Sequence, residues 1–295
     1  MEHAEPTSRR IKEMEVMVAE VIKETHDTAT LLLFTGNDRL DYQAGHFLTI
    51  DPHQFEALER FIAYFEDVKG KREPPRAYSL SSAPHERFLA ITIKEERYAK
   101  GMTKYPPLLS PLLVKQTARG MRLTITGFTG PYVLPIDLDQ NYQHLLHVCA
   151  GSGIVPNYSI LKQSLQEHPK VRHTLVYTNK TWADAIFARE LRALELQHPE
   201  RLKIVHTLTR EKPELLSGPY GAARAGRIST ALLREVVQDP KATVAFACGP
   251  GITPHDKAEA RKAGVQPAPR FLETVLGGLR EIGFTDDNLE YESYG

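Results

Sequence analysis

The stretch Leu145-Leu146-His147-Val148-Cys149-Ala150-Gly151-Ser152-Gly153-Ile154-Val155-Pro156 decides how the chain is read. The apolar run 145–150 predicts a buried strand, Gly-Ser-Gly predicts a tight turn, and the sequence from about 157 to 168 predicts a helix. In such a unit glycines let the backbone approach a pyrophosphate, and the helix N-terminus offers unpaired N–H groups. The full Gly-x-Gly-x-x-Gly is absent, because Pro156 stands at the sixth position, where a proline also suits a first helical turn. Taken locally, Gly151, Ser152 and Gly153 are either a phosphate cradle or a ligand-free βα turn.

Toward the C-terminus the pattern repeats. Residues 174–177, 202–208 and 243–247 read as strands, and 183–197 and 230–238 as helices. This βαβαβ order predicts a doubly wound parallel sheet. The last of these strands runs into Cys248-Gly249-Pro250, at the strand end where ligands of open α/β sheets sit. The thiol of Cys248 is either a soft neighbour for a nicotinamide ring or an ordinary buried cysteine.

Toward the N-terminus the texture changes to short β-prone runs at 15–20, 28–34, 47–50, 89–94 and 121–126, divided by turn residues such as the acidic 24–27. They predict an antiparallel barrel or sandwich. The change falls near the polar stretch 135–142, a plausible domain boundary. Residues 53–69 break the strand pattern: Phe55, Leu58, Phe61, Ile62 and Phe65 predict one amphipathic helix ending before Gly70 and Pro74-Pro75. Arg76-Ala77-Tyr78-Ser79 follows, offering a guanidinium fork for a phosphate, a ring to lie on another ring, and a hydroxyl; an ordinary barrel strand is the alternative. Gly101-Met102-Thr103 either caps a helix or meets a second phosphate.

The chain has 295 residues, 41% hydrophobic and 25% charged, with 37 basic and 37 acidic side chains. Such values fit two globular domains, and the zero balance argues against nucleic acid or an anionic membrane as main partner. Two cysteines are too few for a four-thiolate iron–sulfur cluster. Twelve histidines occur without H-E-x-x-H spacing, so no metal is expected; His144 and His147 read as packing or surface residues. With no secretory signal and no apolar run long enough to span a bilayer, a cytoplasmic location is expected.

The order of the motifs carries more than any one of them. Arg-x-Tyr-Ser precedes Ile91-Thr92-Ile93-Lys94, Gly101-Met102-Thr103 and Gly127-Phe128-Thr129-Gly130-Pro131-Tyr132. Ala150-Gly151-Ser152-Gly153, Asn179-Lys180-Thr181, Thr209-Arg210-Glu211 and Cys248-Gly249-Pro250 follow. Over roughly 16–250 and the final strand, the chain closely resembles the ferredoxin–NADP reductase superfamily, in particular the reductase components of bacterial oxygenase systems. The resemblance implies an FAD-binding antiparallel β-barrel over 1–139, from which the helical 53–69 departs as an insert. It also implies a nicotinamide-nucleotide-binding α/β domain over 140–295, from which 252–281 departs as a helical insert.

The resemblance further implies that Arg76 binds the flavin phosphates, with Ala77 beside it, that Tyr78 stacks on the isoalloxazine, and that Ser79 sits near its N5 edge. By the same resemblance Gly101, Met102 and Thr103 would meet the FAD pyrophosphate, with Ile93 and Lys94 nearby. Gly151, Ser152 and Gly153 would cradle the dinucleotide, and Cys248, Gly249 and Pro250 would lie near hydride transfer. Tyr294 would lie against the flavin, as C-terminal aromatic residues do in some members of the family. At the ribose 2′ position no acidic residue stands directly after the second strand, whereas Lys180 and Arg210 suit a 2′-phosphate, so NADPH is expected ahead of NADH, with Asn179 beside them. No fused ferredoxin is expected. The expected activity is hydride transfer from NAD(P)H to FAD and electron delivery to a separate ferredoxin-like iron–sulfur protein or oxygenase component. A free flavin or quinone reductase and a non-catalytic nucleotide-sensing subunit are the alternatives.

Overall fold

A computed structural model describes residues 13–36, 40–98, 103 and 105–294. The first half contains β1 (Glu13–Thr25), β2 (Thr28–Phe34), β3 (Phe47–Ile50), α1 (Glu59–Lys69), β4 (Arg76–Ser79), β5 (Leu89–Lys94), α2 (Ser110–Lys115) and β6 (Arg122–Thr129). Its strands form one antiparallel sheet in the order β4-β3-β6-β1-β2-β5. Side chains alternate across each strand, so Val16 and Val18, Leu31 and Leu33, Leu48 and Ile50, and Leu123 and Ile125 all reach one core. The two edges meet: Leu80 bridges Ile91, and the Ser81 N–H donates to the Ala90 carbonyl at 2.8 Å. That contact closes the sheet into the expected barrel and leaves no free strand edge there.

The second half contains α3 (Leu138–Asn141), β7 (His144–Ala150), α4 (Ile154–Glu167), β8 (Arg172–Asn179), α5 (Ala188–Gln197), β9 (Leu202–Leu208), β10 (Ser217–Gly218), β11 (Gly221–Ala225), α6 (Thr230–Val236), β12 (Thr243–Gly249), α7 (Pro254–Ala263), α8 (Phe271–Glu281) and β13 (Leu289–Ser293). The sheet order is β10-β11-β9-β8-β7-β12-β13, parallel throughout except for the small β10–β11 pair. α4 and α5 pack on one face, α6 and α8 on the other. Covered on both sides, β7 and β12 are buried along their length, which is why they read as apolar runs instead of alternating ones.

Three expectations change on contact with the structure. Residues 53–69 are not one helix: two 3₁₀ turns, at Pro52–Gln54 and Glu56–Leu58, precede α1. Of the predicted apolar stripe, Leu58, Ile62 and Phe65 are buried, but Phe61 is 59% exposed beside exposed Tyr64 and Val68. Phe61 shares its turn of α1 with Ile62, so only one of the two faces the barrel. The segment 252–281 divides in two. α8 is the crossover helix that parallel strands β12 and β13 require, and it buries Leu272, Val275, Leu276 and Leu279. The additional part is the excursion through α7, which buries only Ala260. Its ends are pinned together, since Leu272 N donates to Pro250 O at 3.1 Å and Ile252 N to Glu273 at 2.8 Å.

The two halves are joined by specific contacts. Ser159 Oγ on α4 donates to the Ser82 carbonyl at 2.5 Å, and Ala44 N donates to Gln163 Oε1 at 3.1 Å. Gly45 (φ +94°) lies so close to the Tyr132 carbonyl that a Cβ would sit 1.8 Å from its oxygen. Among the described residues, no helix is long and apolar enough to cross a membrane.

Candidate functional site

The strand order β8-β7-β12 places the topological switch between β7 and β12. Gly151-Ser152-Gly153 and Cys248-Gly249-Pro250 leave the carboxyl ends of those two strands, so the folded chain brings them side by side. Their contact is backbone to backbone: a Cβ on Gly153 would sit 2.1 Å from the Cys248 carbonyl oxygen. Gly153 is therefore required by packing. Gly151 is the residue with the left-handed backbone, φ +53°, and open space around it. The turn is a 3₁₀ segment that runs into α4 at Ile154, earlier than the expected start near 157, and Pro156 sits in the first turn.

A cavity of about 630 Å³ opens over these strand ends. Gly151, Ser152, Asn179, Lys180, Arg210 and Pro250 line it, whereas Gly153, Cys248 and Gly249 do not. Thr178 Oγ1 and both side-chain polar atoms of Asn179 are buried there without a hydrogen-bond partner. Two further cations, Arg227 and Arg270, and the ring of Phe271 complete the wall. Arg270 is paired with Asp256 of α7 at 2.7 Å; among the described residues no ion pair occupies Lys180, Arg210 or Arg227. One acid, Asp184, also lines this cavity; its carboxylate accepts from the Thr181 hydroxyl at 2.7 Å in a capping box. The absence of an acid directly after β8 thus did not mean absence from the cavity. Arg227, Arg270 and Asp184 had no signal in the sequence, because each arrives from a connection between strands whose path only the fold sets.

A second cavity, of about 500 Å³, lies against the barrel. It is lined by Arg76, Ala77, Tyr78 and Ser79 of β4, Ile93 and Lys94 of β5, and Glu292 and Tyr294 from the end of the chain. Pairing of β3 with β4 holds the tetrad extended, which turns Tyr78 partly into the barrel core and leaves Arg76 half-exposed. Lys94 is anchored by Asp27 in the β1–β2 turn at 3.4 Å. Burial pushes the Asp27 carboxyl up, but Lys94 and the Thr25 and Thr28 hydroxyls outweigh it and hold the group below the usual range. The turn-like acidic segment therefore has a second task that its sequence did not disclose. Gly101 and Met102 lie outside the described residues, and Thr103 is exposed.

The two cavities share Lys94, Ser152 and Pro250 and so form one continuous crevice. At the junction the Tyr294 hydroxyl bonds the Ser79 hydroxyl, while Tyr294 N donates to the Gly249 carbonyl at 2.9 Å. Burial, with Cys248 and Glu292 adding to it, drives the phenol well above its ordinary pKa. Cys248 is fully buried in the apolar cluster with Tyr132, Phe246 and Tyr294 and lines neither cavity. Burial raises its thiol well above the ordinary value, so it stays protonated and unreactive. The sequence passed over Glu292. Burial pushes its carboxyl up to about 7 against the pull of Ser79, and its Oε2 has no partner. Only its neighbour Tyr294 could have flagged it. The described residues contain no cluster of metal-ligating side chains.

A closed antiparallel barrel and a doubly wound parallel sheet that share a crevice at the sheet's switch point define a two-domain, dinucleotide-binding architecture. Comparison with known proteins sharpens this. Residues 147–253 match the oxidoreductase NAD-binding domain family. The chain is 32% identical to the ferredoxin reductase component of 3-ketosteroid-9-alpha-monooxygenase from Mycolicibacterium smegmatis, over 95% of this chain and 65% of that protein. It is also 32% identical to the corresponding component from Mycobacterium tuberculosis, over 92% of this chain and 67% of that one. The chain thus spans about two thirds of the length of these relatives.

Among solved structures, the FAD/NAD-binding domain of nitric oxide dioxygenase from Vibrio cholerae superposes with a TM-score of 0.69 at 20% identity, covering 96% of this chain and 98% of that one. The cytochrome b5 reductase domain of Ulva prolifera nitrate reductase gives 0.68 at 22%, covering 95% and 97%. The chain belongs to the ferredoxin–NADP reductase superfamily, with a flavin-binding and a nicotinamide-nucleotide-binding domain.

Proposed function

We propose that this chain is an NAD(P)H-dependent flavoprotein reductase that delivers electrons to a separate ferredoxin-like iron–sulfur protein or oxygenase component. The observation that carries the reading is the continuity of the two cavities at Lys94, Ser152 and Pro250. One cavity per domain, meeting at a shared wall, suits two cofactors that must touch. The barrel cavity fits a flavin: an arginine fork at one end, Tyr78 and the apolar Phe47, Leu108 and Leu109 along it, and Ser79 at the junction. The sheet cavity fits a dinucleotide, because Thr178 and Asn179 keep buried polar atoms unpaired and unpaired cations surround them.

When bound, the flavin accepts hydride from the reduced nicotinamide and passes electrons onward. The chain's own residues bind, orient and exclude water. Arg76 holds phosphate, and Tyr78 and Tyr294 offer rings to a flat heterocycle. The Ser79 hydroxyl can donate at the junction. Glu292, with a pKa near neutrality, can hold or release a proton beside it. Lys180 and Arg210 favour a 2′-phosphate, so NADPH is the preferred donor.

Anaerobic addition of NADPH to the FAD-loaded chain should bleach the flavin band; no bleaching with either nucleotide sinks the reading. kcat/KM should favour NADPH over NADH, and Lys180→Ala with Arg210→Ala should lower it about tenfold for NADPH alone. Turnover should rise strongly with an added ferredoxin; an equal rise with free FMN or a quinone would instead favour a reductase of diffusible acceptors.

A further inference from the structure

The segment that carries α1 looks, from the strand pattern alone, like a detour. Its end is tied, through Glu73, to Arg76, which lines the barrel cavity. Glu73 is only 1% exposed, and both of its oxygens are taken: Oε1 by the Lys69 ammonium of α1, Oε2 by Arg76 Nη2 at 2.6 Å. Its own N–H donates at 2.8 Å to Glu66, which also receives His53 Nε2 at 2.9 Å. The Lys69 ammonium lies 4.6 Å from the Phe65 ring centre and 4.7 Å from that of Tyr105. Arg76 has a second anchor, since its Nη1 donates to the Pro74 carbonyl at 2.5 Å. Burial works against the Glu73 charge, yet Lys69 and Arg76 hold the carboxyl below its usual range.

We propose that Glu73 is a positioning residue for the flavin phosphate: it ties the Arg76 guanidinium to α1 so that the fork is set before the cofactor arrives. This rests on the reading of Arg76 as a phosphate ligand. Arginine has five N–H donors, and the two anchoring bonds leave others for a phosphate oxygen. A long side chain held in one rotamer binds more tightly than a free one, because the ordering cost is met in the fold. The proline pair at 74 and 75 keeps the link between Glu73 and Arg76 short and stiff. By this argument the 53–69 insert belongs to the cofactor site.

The test is a set of titrations of flavin-free full-length chain with FAD, FMN and riboflavin, following flavin fluorescence. Riboflavin lacks the phosphate. Glu73→Gln should raise Kd for FAD and FMN about tenfold and leave riboflavin within about twofold, the scale of one charge-assisted contact. The FAD loss in a Glu73→Gln/Arg76→Ala chain should not exceed that of Arg76→Ala alone. Equal losses for all three flavins, an unchanged or tighter FAD Kd, or additive losses in the double variant would each overturn the proposal. Should Glu73→Gln not fold, Glu73→Asp, which keeps the buried charge but draws it back from Arg76, must give the same phosphate-selective loss. Arg76→Ala separates the two readings. If it weakens FAD no more than riboflavin, the placement of phosphate on Arg76 fails; if it is selective and Glu73→Gln is not, only the positioning role fails.

Discussion

The two walls of the crevice are built from different materials. On the sheet side the site is backbone: Gly153 packs on the Cys248 carbonyl, Gly249 lies under the Phe271 ring, and buried Thr178 and Asn179 wait with unpaired polar atoms. On the barrel side the site is side chains in ion pairs, Arg76 on Glu73 and Lys94 on Asp27, grafted onto a strand and a turn. Backbone contacts leave no slack, whereas side-chain pairs can re-form. The sheet wall should therefore fail by losing the fold, and the barrel wall by losing its ligand.

The sharpest way to break that contrast is Gly153→Ala. The new Cβ would stand 2.1 Å from the Cys248 oxygen and 2.5 Å from its carbonyl carbon, with backbone on both sides and no side chain to move away. We expect a loss of about 3 kcal/mol or more in urea unfolding, the scale of severe overpacking. Gly151→Ala is the control two residues away. It meets open space and incurs only its left-handed φ of +53°, about 1–2 kcal/mol. Equal losses in the two variants would mean that the strand ends can separate.

The same contrast explains what was legible. The sheet half follows from periodicity, because a parallel sheet needs apolar strands, crossover helices and glycine turns in fixed order. Residues 145–156 display all three. The barrel was legible as strands but not as a site, since Arg76-Ala77-Tyr78-Ser79 reads locally like an ordinary barrel strand until its order relative to the later motifs is noticed. What stayed hidden were partners distant in sequence. Asp27 reaches Lys94, Glu292 reaches Ser79, and Asp184 enters the cavity over the sheet because of how strands are paired, which no local pattern encodes. Phe61 was misplaced for the opposite reason: apolarity signals burial only on average, and helix phase assigned the core to Ile62.

The histidines extend the comparison to pH. In the sheet, burial pushes His144, His147 and His206 down to about 4 and also holds His173 well below its ordinary value. His147 is paired with Asn157 at 3.0 Å and stacks on His173 with ring centres 5.8 Å apart. The unfolded chain takes up protons near 6.5, while the folded sheet resists them until about 4. The stability these groups contribute is full above 6.5 and is lost as pH falls toward 4. By the end of that window the loss from each of His144, His147 and His206 is roughly 2–3 kcal/mol. On the barrel side His53, held by Asp51 and Glu66, shifts upward and has the opposite sign. Unfolding free energy measured from pH 7 to 4.5 should fall steeply; a flat profile would refute neutral burial of the sheet histidines.

Glu292 gives the smallest effect and the finest distinction, because it stands where the two walls meet. Its carboxyl is raised to about 7 by burial, from an ordinary 4.5. The folded chain thus holds a proton that the unfolded chain releases, so the stability contributed by the neutral acid is full below 4.5 and is lost as pH rises through 7. The group is partly exposed, and solvent reduces the consequence to about 1 kcal/mol at pH 8. Glu292→Gln keeps the shape and removes the titration, so it should flatten stability between pH 6 and 8. The second readout is kinetic. If the proton beside Ser79 matters to hydride transfer, the single-turnover rate of flavin reduction should bend near pH 7 in the parent chain, and that bend should vanish in the glutamine variant. A variant that flattens stability but keeps the kinetic bend would mean that Glu292 only fills the junction and that the titrating group belongs to the cofactors. Loss of both together would make the junction, with contributions from both walls, the place where proton and electron movement are coupled.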